Sequence, residues 1–314
     1  MRVSRMGEAG LIELIRRTVR TRGRLKVGIG DDACVLKDGT VLTTDAYAEG
    51  VHFDLAYMSF RQVGERCACA ALSDVVAMGA EPEVLLVSLC LRHDVRDSDI
   101  RALYRGIEAV CRRFGCEVGG GDIIAADRFV LALSASGRTS RPLLRSAARP
   151  GDFVYLTGFA GLAETGRLVL KHRLRREGFA AAVRRHLRPL PRLDVASSIG
   201  SAIHALIDTS DGLATDAAHI AEMSRVRLEL DASAIPVAPA TRRLCRKLRL
   251  DSTRFVLTAG EDYELLLTSP RVLPRCVGGS MLTCIGQVRR GSGLYAVSNG
   301  VTGQVRERGY DHLA

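Results

Sequence analysis

The residues of this chain best placed to do chemistry are aspartates. They stand after glycine turns, beside a predicted strand, inside a predicted helix and ahead of another helix start, where a purely structural acid would be awkward. If these carboxylates meet in one cleft, each pair about 4 Å apart repels by about 4 kcal/mol at an effective dielectric constant of about 20. Divalent cations would therefore have to hold them together. The aspartates in question are Asp31, Asp32, Asp45, Asp74, Asp122, Asp208 and Asp211.

Asp74 carries most of this argument. A predicted helix over 60–78 places it in the middle of an apolar stripe, where an unpaired ionised group would cost several kcal/mol. The stripe consists of Cys67, Ala70, Ala71, Val75 and Met78. The alternative is a helix that ends early and leaves Asp74 in its tail near Gly79. Because Leu72 and Val76 continue the helical pattern, the sequence favours a functional partner for Asp74, such as a metal cation, an arginine or a group of donors.

Asp45 ends a predicted strand over 41–44, a place where chains leaving a sheet commonly display site residues. Thr43 and Thr44 precede it and add hydroxyl oxygens, which are hard metal ligands. Taken alone, Asp45 is better explained by an ordinary turn at a strand end.

Asp122 follows three consecutive glycines, Gly119 to Gly121. Three glycines are costly in chain entropy unless the backbone must approach something closely or adopt positive φ angles. They would suit a bed for a phosphate whose metal Asp122 then holds. A plain hairpin turn is the alternative.

Asp208 and Asp211 precede a predicted helix over 211–224. Asp208 or Ser210 could serve as the N-cap of that helix, which explains one acid but not two. The run GIGDD from Gly28 similarly predicts a tight turn that presents a carboxylate, with ordinary turn chemistry as the alternative.

The candidate ligands are all oxygen atoms, without histidine or cysteine, which favours magnesium, with manganese as a substitute, over zinc. Magnesium usually works beside substrate phosphates. The chain has no G-x4-G-K-[ST] loop, and the Gly28-Ile29-Gly30 stretch lacks the third glycine of a dinucleotide fingerprint. The residues therefore indicate a magnesium-dependent enzyme that acts on a phosphorylated compound and is driven by ATP.

Length and composition fit two mixed α/β domains. The 314 residues, 47% hydrophobic and 25% charged, can bury a full core, unlike a disordered tail or a disulfide-stapled miniprotein. A seam at 137–151 with two prolines suggests domains over 1–140 and 141–314, in the α/β (α+β) class. The predicted helices cover about 6–21 with Ser4 as a cap, 60–78, 97–114, 161–173, a basic stretch to 187, 193–204 and 211–224. The predicted strands cover 41–45, 84–90, 129–136, 153–157, 227–230, 255–257, 264–268 and 282–288, with a closing hairpin at Asn299-Gly300.

Composition argues against membrane, zinc and nucleic-acid roles. The longest apolar run, 84–91, is far shorter than the roughly 20 residues of a membrane helix, and the N-terminus lacks the apolar region of a signal peptide, so we expect a cytosolic protein. The nine cysteines include Cys67-x-Cys69 and Cys111-x4-Cys116, but no histidine pair accompanies them, which favours reduced thiols. The net charge of +10 comes from dispersed arginines, and an aromatic content of 5% offers few platforms for stacking bases.

A series of stretches, in order and over nearly the whole chain, closely resembles the thiamine-monophosphate kinase family. This family shares its fold with aminoimidazole ribonucleotide synthetase, selenophosphate synthetase and a hydrogenase-maturation protein. The stretches are GIGDDACVL from Gly28, TTDAYAEGVHF from Thr43, LSDVVAMGAEP from Leu72, GGGD from Gly119, LRSAARPGD from Leu144, IDTSDGL from Ile207, GEDYEL from Gly260 and GYDH from Gly309.

The resemblance implies transfer of the γ-phosphoryl group of ATP to thiamine monophosphate, giving thiamine diphosphate and ADP with the help of several Mg²⁺ ions. It also implies a homodimer in which strands of the N-terminal domains pair across the subunits, a C-terminal sheet flanked by helices, and ATP bound between the halves. The matching metal ligands are Asp32, Thr43, Thr44, Asp45, Asp74, Asp122, Asp208 and Asp211. The matching nucleotide contacts are Tyr104, Gly121, Asp122, Arg145 and Ser210, and the matching contacts to the thiamine compound are His52, Glu261 and Tyr310.

Several of these residues also have a purely structural explanation. From spacing alone, His52 suits a packed core histidine, Glu261 a loop charge and Tyr310 an aromatic plug for the C-terminus. Arg145 is one of many arginines, and only the resemblance singles it out.

Two departures from the family pattern bear on the substrate. Ile123 stands where a threonine usually follows the Gly-Asp pair, and Ala259 stands where a second glycine usually precedes Glu261. The alternatives are another ATP-dependent synthetase of the superfamily, of the aminoimidazole ribonucleotide or selenophosphate type, and an arginine-rich nucleic-acid-binding protein. Residues 1–26 contain no cysteine, although the selenophosphate enzyme carries its reactive residue there, and the acidic set would repel a nucleic-acid backbone.

Overall fold

The structure is a computed structural model that describes residues 6–20, 22–298 and 300–313, and its two sheets with helices confirm the mixed α/β class. The helices are α1 (Gly7–Thr18), α2 (Phe60–Ala77), α3 (Asp97–Phe114), α4 (Leu162–Lys171), α5 (Ala180–Leu187), α6 (Leu193–Ile199), α7 (Leu213–Ser224), α8 (Pro239–Leu248) and α9 (Ser252–Thr258). The strands are β1 (Leu25–Val27), β2 (Cys34–Leu36), β3 (Thr40–Ala48), β4 (Glu81–Leu91), β5 (Glu117–Ala125), β6 (Val130–Arg138), β7 (Phe153–Thr157), β8 (Leu206–Asp208), β9 (Arg227–Asp231), β10 (Leu265–Ser269), β11 (Cys276–Val277), β12 (Ser280–Arg289), β13 (Gly293–Ser298) and β14 (Val301–Gln304). The predicted cap Ser4 and hairpin residue Asn299 lie outside the described residues.

The first sheet has the strand order β1-β2-β3-β6-β4-β5, and α2 and α3 cover one of its faces. Side chains alternate between the two faces, as they must in extended strands. Leu85 and Leu133 are buried under the helices, whereas Leu42 and Leu86 on the opposite face are 40% and 44% exposed.

Helix α2 carries Asp74 and begins with a capping box. The Ser59 side chain accepts a hydrogen bond from the backbone of Gln62, whose own side chain accepts one from the backbone of Ser59. The predicted apolar stripe is buried and the helix runs to Ala77. Asp74 therefore lies within the helix and not in a frayed tail.

The second sheet has the strand order β14-β13-β9-β12-β7-β10-β8, with β11 paired to β12. A hydrophobic cluster also joins the two halves of the chain, because Val76 and Ala77 at the end of α2 pack with Val195 of α6 and Leu206 of β8. This contact sets the end of α2 beside β8, which ends at Asp208. The division between 140 and 141 stays a prediction.

One predicted strand, over 255–257, is wrong because these residues belong to helix α9. Asp251 caps that helix, its side chain accepting a hydrogen bond from the backbone of Arg254 at 2.7 Å. A short run of aromatic and β-branched residues does not by itself distinguish a strand from a buried helix. Helix α8 and the strands β1, β2, β5, β8 and β11 were not predicted.

The predicted end of a strand at Asp45 is wrong, and so is the alternative of a hairpin turn at Gly119 to Gly121. Strand β3 continues to Ala48, so Asp45 lies inside the strand and not at its end. Gly119 to Gly121 lie inside β5 and not in a hairpin turn. A Cβ atom at Gly121 would stand 1.7 Å from the carbonyl oxygen of Val87, so this glycine permits the close approach of β5 to β4.

None of the described helices combines the length and apolar character that crossing a bilayer requires.

We predict that Gly106→Ala lowers the free energy of unfolding by about 1 to 3 kcal/mol, because a Cβ atom there cannot be accommodated between α2 and α3. That atom would stand 2.1 Å from the backbone oxygen of Arg61. Urea denaturation followed by circular dichroism measures the change. Gly10→Ala, in the exposed helix α1, is the matched control and should be neutral or stabilising. Equal stability of Gly106→Ala and wild type would contradict the close helix contact.

Candidate active site

Three buried or half-buried aspartates form the centre of the site. Carboxylate oxygens of Asp32, Asp74 and Asp208 lie within 4.8 Å of one another. They come from the turn between β1 and β2, from α2 and from the end of β8. Residues from both halves of the chain therefore meet here, as the sequence predicted for these three acids.

Hydroxyl groups support this cluster from two sides. Thr43 donates a hydrogen bond to Asp74 at 2.7 Å, and Ser73 donates one to Asp208 at 2.5 Å. Even so, Oδ2 of Asp32 and Oδ1 of Asp208 are buried and accept no hydrogen bond from the described residues. Buried carboxylate oxygens without donors are costly and suit a cation as partner.

The pKa values of these acids report the same electrostatic conflict. Burial, together with the charges of Asp45, Asp208 and Asp32, raises the pKa of Asp74 well above its usual value. Burial and the charge of Asp32 raise the pKa of Asp208 to about 8. An all-oxygen donor set that resists ionisation in this way fits a hard divalent cation such as Mg²⁺.

Asp45 and Arg145 flank the cluster. Tyr47 donates a hydrogen bond to Asp45 at 2.6 Å, and burial raises the pKa of Asp45. The Arg145 guanidinium forms an ion pair with Asp32, and the backbone N–H of Arg145 donates to Asp31. Burial alone would lower the pKa of Arg145, but the charges of Asp32, Asp31 and Asp208 and the hydrogen bond to Asp32 together outweigh burial, so the pKa is raised.

Ser210 and Asp211 lie in the loop between β8 and α7, next to the cluster. Neither Ser210 nor Asp208 is the N-cap of α7, because Gly212 holds that position and its N–H donates to the buried carboxylate of Asp216. The structural alternative for these residues is therefore wrong. Burial and the charge of Glu8 raise the pKa of Asp211 to about 6.

The three predicted thiamine contacts are also gathered. The ring of His52 stands 5.0 Å from the ring of His312, which stands 4.6 Å from the ring of Tyr310. Arg66 pairs with the Glu261 carboxylate and donates a hydrogen bond to the backbone oxygen of His52. His52 is half-buried and not packed in the core.

His52 is a neutral imidazole at neutral pH. Burial, with the charges of His312 and Arg66, lowers its pKa to about 4. Its Nδ1 accepts a hydrogen bond from the backbone N–H of Ala48 at 3.1 Å, which leaves Nε2 to carry the proton. The Tyr47 ring meets the His52 ring edge-on at 5.5 Å. Tyr47 therefore connects the aspartate cluster with the predicted thiamine contacts.

Four predicted site residues lie elsewhere in this chain. The side chain of Thr44 lies on the exposed face of the first sheet, where it accepts a hydrogen bond from Ser134. Asp122 pairs in register with Ser88 on the same face, and Gly121 precedes it. Strand β5 is three strand spacings, or about 14 Å, from β3. Tyr104 packs against the core from α3.

Other residues at the site were not predicted from the sequence. Ser73 and Tyr47 lie inside the matching stretches and could have been found as polar groups on buried positions next to predicted ligands. Asp216 had a weaker signal, because an acid in the first turn of a helix is ordinary. His312 also lies inside a matching stretch, the GYDH from Gly309, whereas Arg66 gave no local signal.

The chain is similar in sequence and fold to known proteins. Residues 30–139 match the family model of the AIR synthase related protein, N-terminal domain. The chain is 34% identical to the thiamine-monophosphate kinase of Aquifex aeolicus over 318 residues, covering 100% of both proteins. It is 35% identical to the thiamine-monophosphate kinase of Methanopyrus kandleri, covering 93% of each. A solved structure described as AaThiL complexed with AMPPCP and TMP superposes with a TM-score of 0.90 and 33% identity over 99% of each chain.

Relatives of this identity extend over the full length of the chain and bear the name that the sequence motifs suggested. The chain belongs to the thiamine-monophosphate kinase family.

Proposed function

We propose that this protein transfers the γ-phosphoryl group of ATP to the phosphate of thiamine monophosphate, forming thiamine diphosphate and ADP. The observation that carries the proposal is the cluster of Asp32, Asp74 and Asp208, set beside the group of His52, Glu261 and Tyr310. The solved relative complexed with AMPPCP, an analogue of ATP, and TMP supports the choice of both substrates. The need for ATP makes the cytoplasm the proposed location.

The arrangement suits this reaction because the acceptor is already an anion. A phosphate oxygen needs no general base to attack, and the main barrier is the repulsion between two phosphate groups. Arg145 brings a fixed positive charge to the cluster, where it would draw in and orient phosphate oxygens. A site rich in aspartate and arginine and poor in catalytic histidine is therefore what the chemistry requires.

We propose that several Mg²⁺ ions bind this cluster. Asp32, Asp74 and Asp208 would hold the first of them, with Asp45, Asp211 and the hydroxyl of Thr43 completing the set. Bound Mg²⁺ would neutralise phosphate charge and help to align the two groups. The chain itself supplies much of the frame, because Asp74, Asp45 and Asp208 stand on α2, β3 and β8 respectively.

The thiamine moiety would lie against His52, Glu261 and Tyr310. Thiamine monophosphate carries a positively charged thiazolium ring, which a carboxylate attracts and an aromatic face can stack upon. Tyr310 is 53% exposed and the Glu261 side chain 27% exposed, so both can reach a ligand. His52 is neutral and adds a ring without adding a repelling positive charge.

We further propose a homodimer built on the exposed face of the first sheet. Leu42, Leu86 and Ile124 are 40%, 44% and 53% exposed there, an apolar surface that a second copy of the chain would cover. Asp122 lies on the same face, away from the cluster of its own chain. Its role, and those of Thr44 and the neighbouring Gly121, in metal or nucleotide binding therefore depend on this second copy. Tyr104 lies on α3, over the opposite face of the sheet, and stays a predicted nucleotide contact.

The expected substrate preference can be measured by coupled release of ADP. We expect turnover with thiamine monophosphate and none with unphosphorylated thiamine or an aminoimidazole ribonucleotide precursor, because only the first presents a phosphate acceptor beside a thiazolium ring. Turnover with thiamine alone would assign a different kinase. Turnover with the aminoimidazole precursor would assign the superfamily's synthetase activity instead.

Asp74→Asn should lower turnover by at least about 100-fold by removing a metal ligand. The hydrogen bond from Thr43 can persist to the new amide oxygen, so the fold should survive. Without Mg²⁺ the variant should be at least as stable as wild type, because one buried like charge is gone. Mg²⁺ at 100 times its dissociation constant should raise the free energy of unfolding of the wild type by about 2.7 kcal/mol. The variant should lose most of this gain.

Thermal unfolding in EDTA and in rising MgCl₂ measures both effects of Asp74→Asn. Asp127→Asn changes an exposed aspartate and serves as the control, with the wild-type response to Mg²⁺ expected. Near-normal activity of Asp74→Asn in saturating Mg²⁺ would refute the assigned metal site.

Leu86→Asp should convert the dimer into monomers, because it places a charge in the centre of the apolar face. Sedimentation equilibrium should show about twice 34.0 kDa for wild type and 34.0 kDa for the variant. Val272→Asp, at a position that is 77% exposed, is the matched control and should remain dimeric. Monomeric wild type at micromolar concentration would contradict the dimer.

A further inference from the structure

Among the residues that the structure describes, Arg66 is the one arginine with a fully buried side chain, and it contacts the predicted thiamine site from the protein interior. Its side chain is 2% exposed. Nε donates a hydrogen bond to the backbone oxygen of His52 at 3.1 Å, and Nη1 donates one to the backbone oxygen of His186. Nη2 stands 2.5 Å from Oε1 of Glu261.

These three contacts reach segments that are far apart in the sequence. His52 follows β3 in the first half of the chain, His186 lies in α5, and Glu261 lies in the loop after α9. A guanidinium presents its donors in a fixed planar fork and can hold three partners in set directions. A lysine ammonium is a point charge on a flexible stem and cannot reproduce that arrangement.

The backbone at Glu261 also needs holding. Glu261 adopts a φ angle of 63°, which is unfavourable for a residue with a side chain. Its N–H donates to the backbone oxygen of Ser210 at 2.7 Å, so the loop is tied to the segment between Asp208 and Asp211. The ion pair with Arg66 fixes the other end of the residue, its carboxylate, which remains partly exposed to the site.

We propose that Arg66 is a positioning residue for thiamine monophosphate: anchored by its hydrogen bonds to the backbone oxygens of His52 and His186, it aims the Glu261 carboxylate without touching the substrate itself. The inference rests on the proposed function and extends it to a residue buried behind the site. The inference requires that the Glu261 carboxylate attracts the thiazolium ring only from the position in which Arg66 holds it.

The test uses the full-length enzyme with Arg66→Lys, Glu261→Gln, Glu261→Asp and the double variant Arg66→Lys with Glu261→Gln. We expect each single variant to raise KM for thiamine monophosphate about tenfold while KM for ATP changes by less than about twofold. The double variant should be no more than about twofold worse than Glu261→Gln, because a positioning residue has nothing left to position. Glu261→Asp keeps the charge but shortens the side chain, and it leaves Arg66 in place in case the lysine variant does not fold.

Arg61→Lys is the matched control, since Arg61 lies on the same helix and pairs with Glu65, but its side chain is 59% exposed and contacts neither His52 nor Glu261 through any described ion pair. It should leave both KM values unchanged. Three results would each overturn the positioning role. The first is a double variant whose KM increase is the product of the increases in the single variants. The others are equal increases in KM for thiamine monophosphate and for ATP, and a wild-type KM for thiamine monophosphate in Glu261→Asp. If the wild-type enzyme does not turn over thiamine monophosphate, both the proposed function and this inference are wrong. If the wild type is active and one of these three results is found, only the inference is wrong.

Discussion

The repulsion among buried carboxylates is the constraint on which the rest of the structure depends. Asp32, Asp74 and Asp208 bring their oxygens within 4.8 Å of one another, and burial raises the pKa values of Asp74 and Asp208. Folding must therefore supply enough hydrophobic burial elsewhere to hold them close. The apolar stripe of α2 and its contact with α6 and β8 do so. The same repulsion makes the cluster a strong site for cations.

The contacts that build the site also join the halves of the molecule. Ser73 on α2 bonds to Asp208 on β8, and Arg145, which precedes β7, pairs with Asp32. Arg66 makes a third connection, to α5. A chain that assembled its two sheets without these polar contacts would leave charges buried and unpaired, so correct docking of the halves and formation of the site are energetically one event.

Local sequence patterns predicted those site residues whose charge conflicts with the apolar face of their own helix or strand. Asp74 is such a case, because its short side chain cannot reach water from the middle of an apolar stripe. Asp122 is different, because the site to which it can contribute depends on which face of β5 it occupies. That face follows from the register of β5 with β4, which the sequence of β5 does not encode. The glycines before it predict a phosphate bed or a hairpin turn, whereas in the structure Gly121 permits close pairing of β5 with β4. The strand predicted over 255–257 is wrong for a different reason, because a run of three residues is too short to show a helix or strand period.

Arg66 explains why residues that support a site are harder to predict than ligands. It lies on the buried side of α2, as Asp74 does, but a long arginine side chain can usually carry its charge to the surface, so its position on the helix raises no conflict. Only the tertiary structure closes that route, by placing Glu261 and the backbone oxygens of His52 and His186 around the guanidinium. A short charged side chain on an apolar helix face, such as that of Asp74, thus indicates a buried site from the sequence alone. The role of a long side chain, such as that of Arg66, depends on the segments that surround it in the tertiary structure.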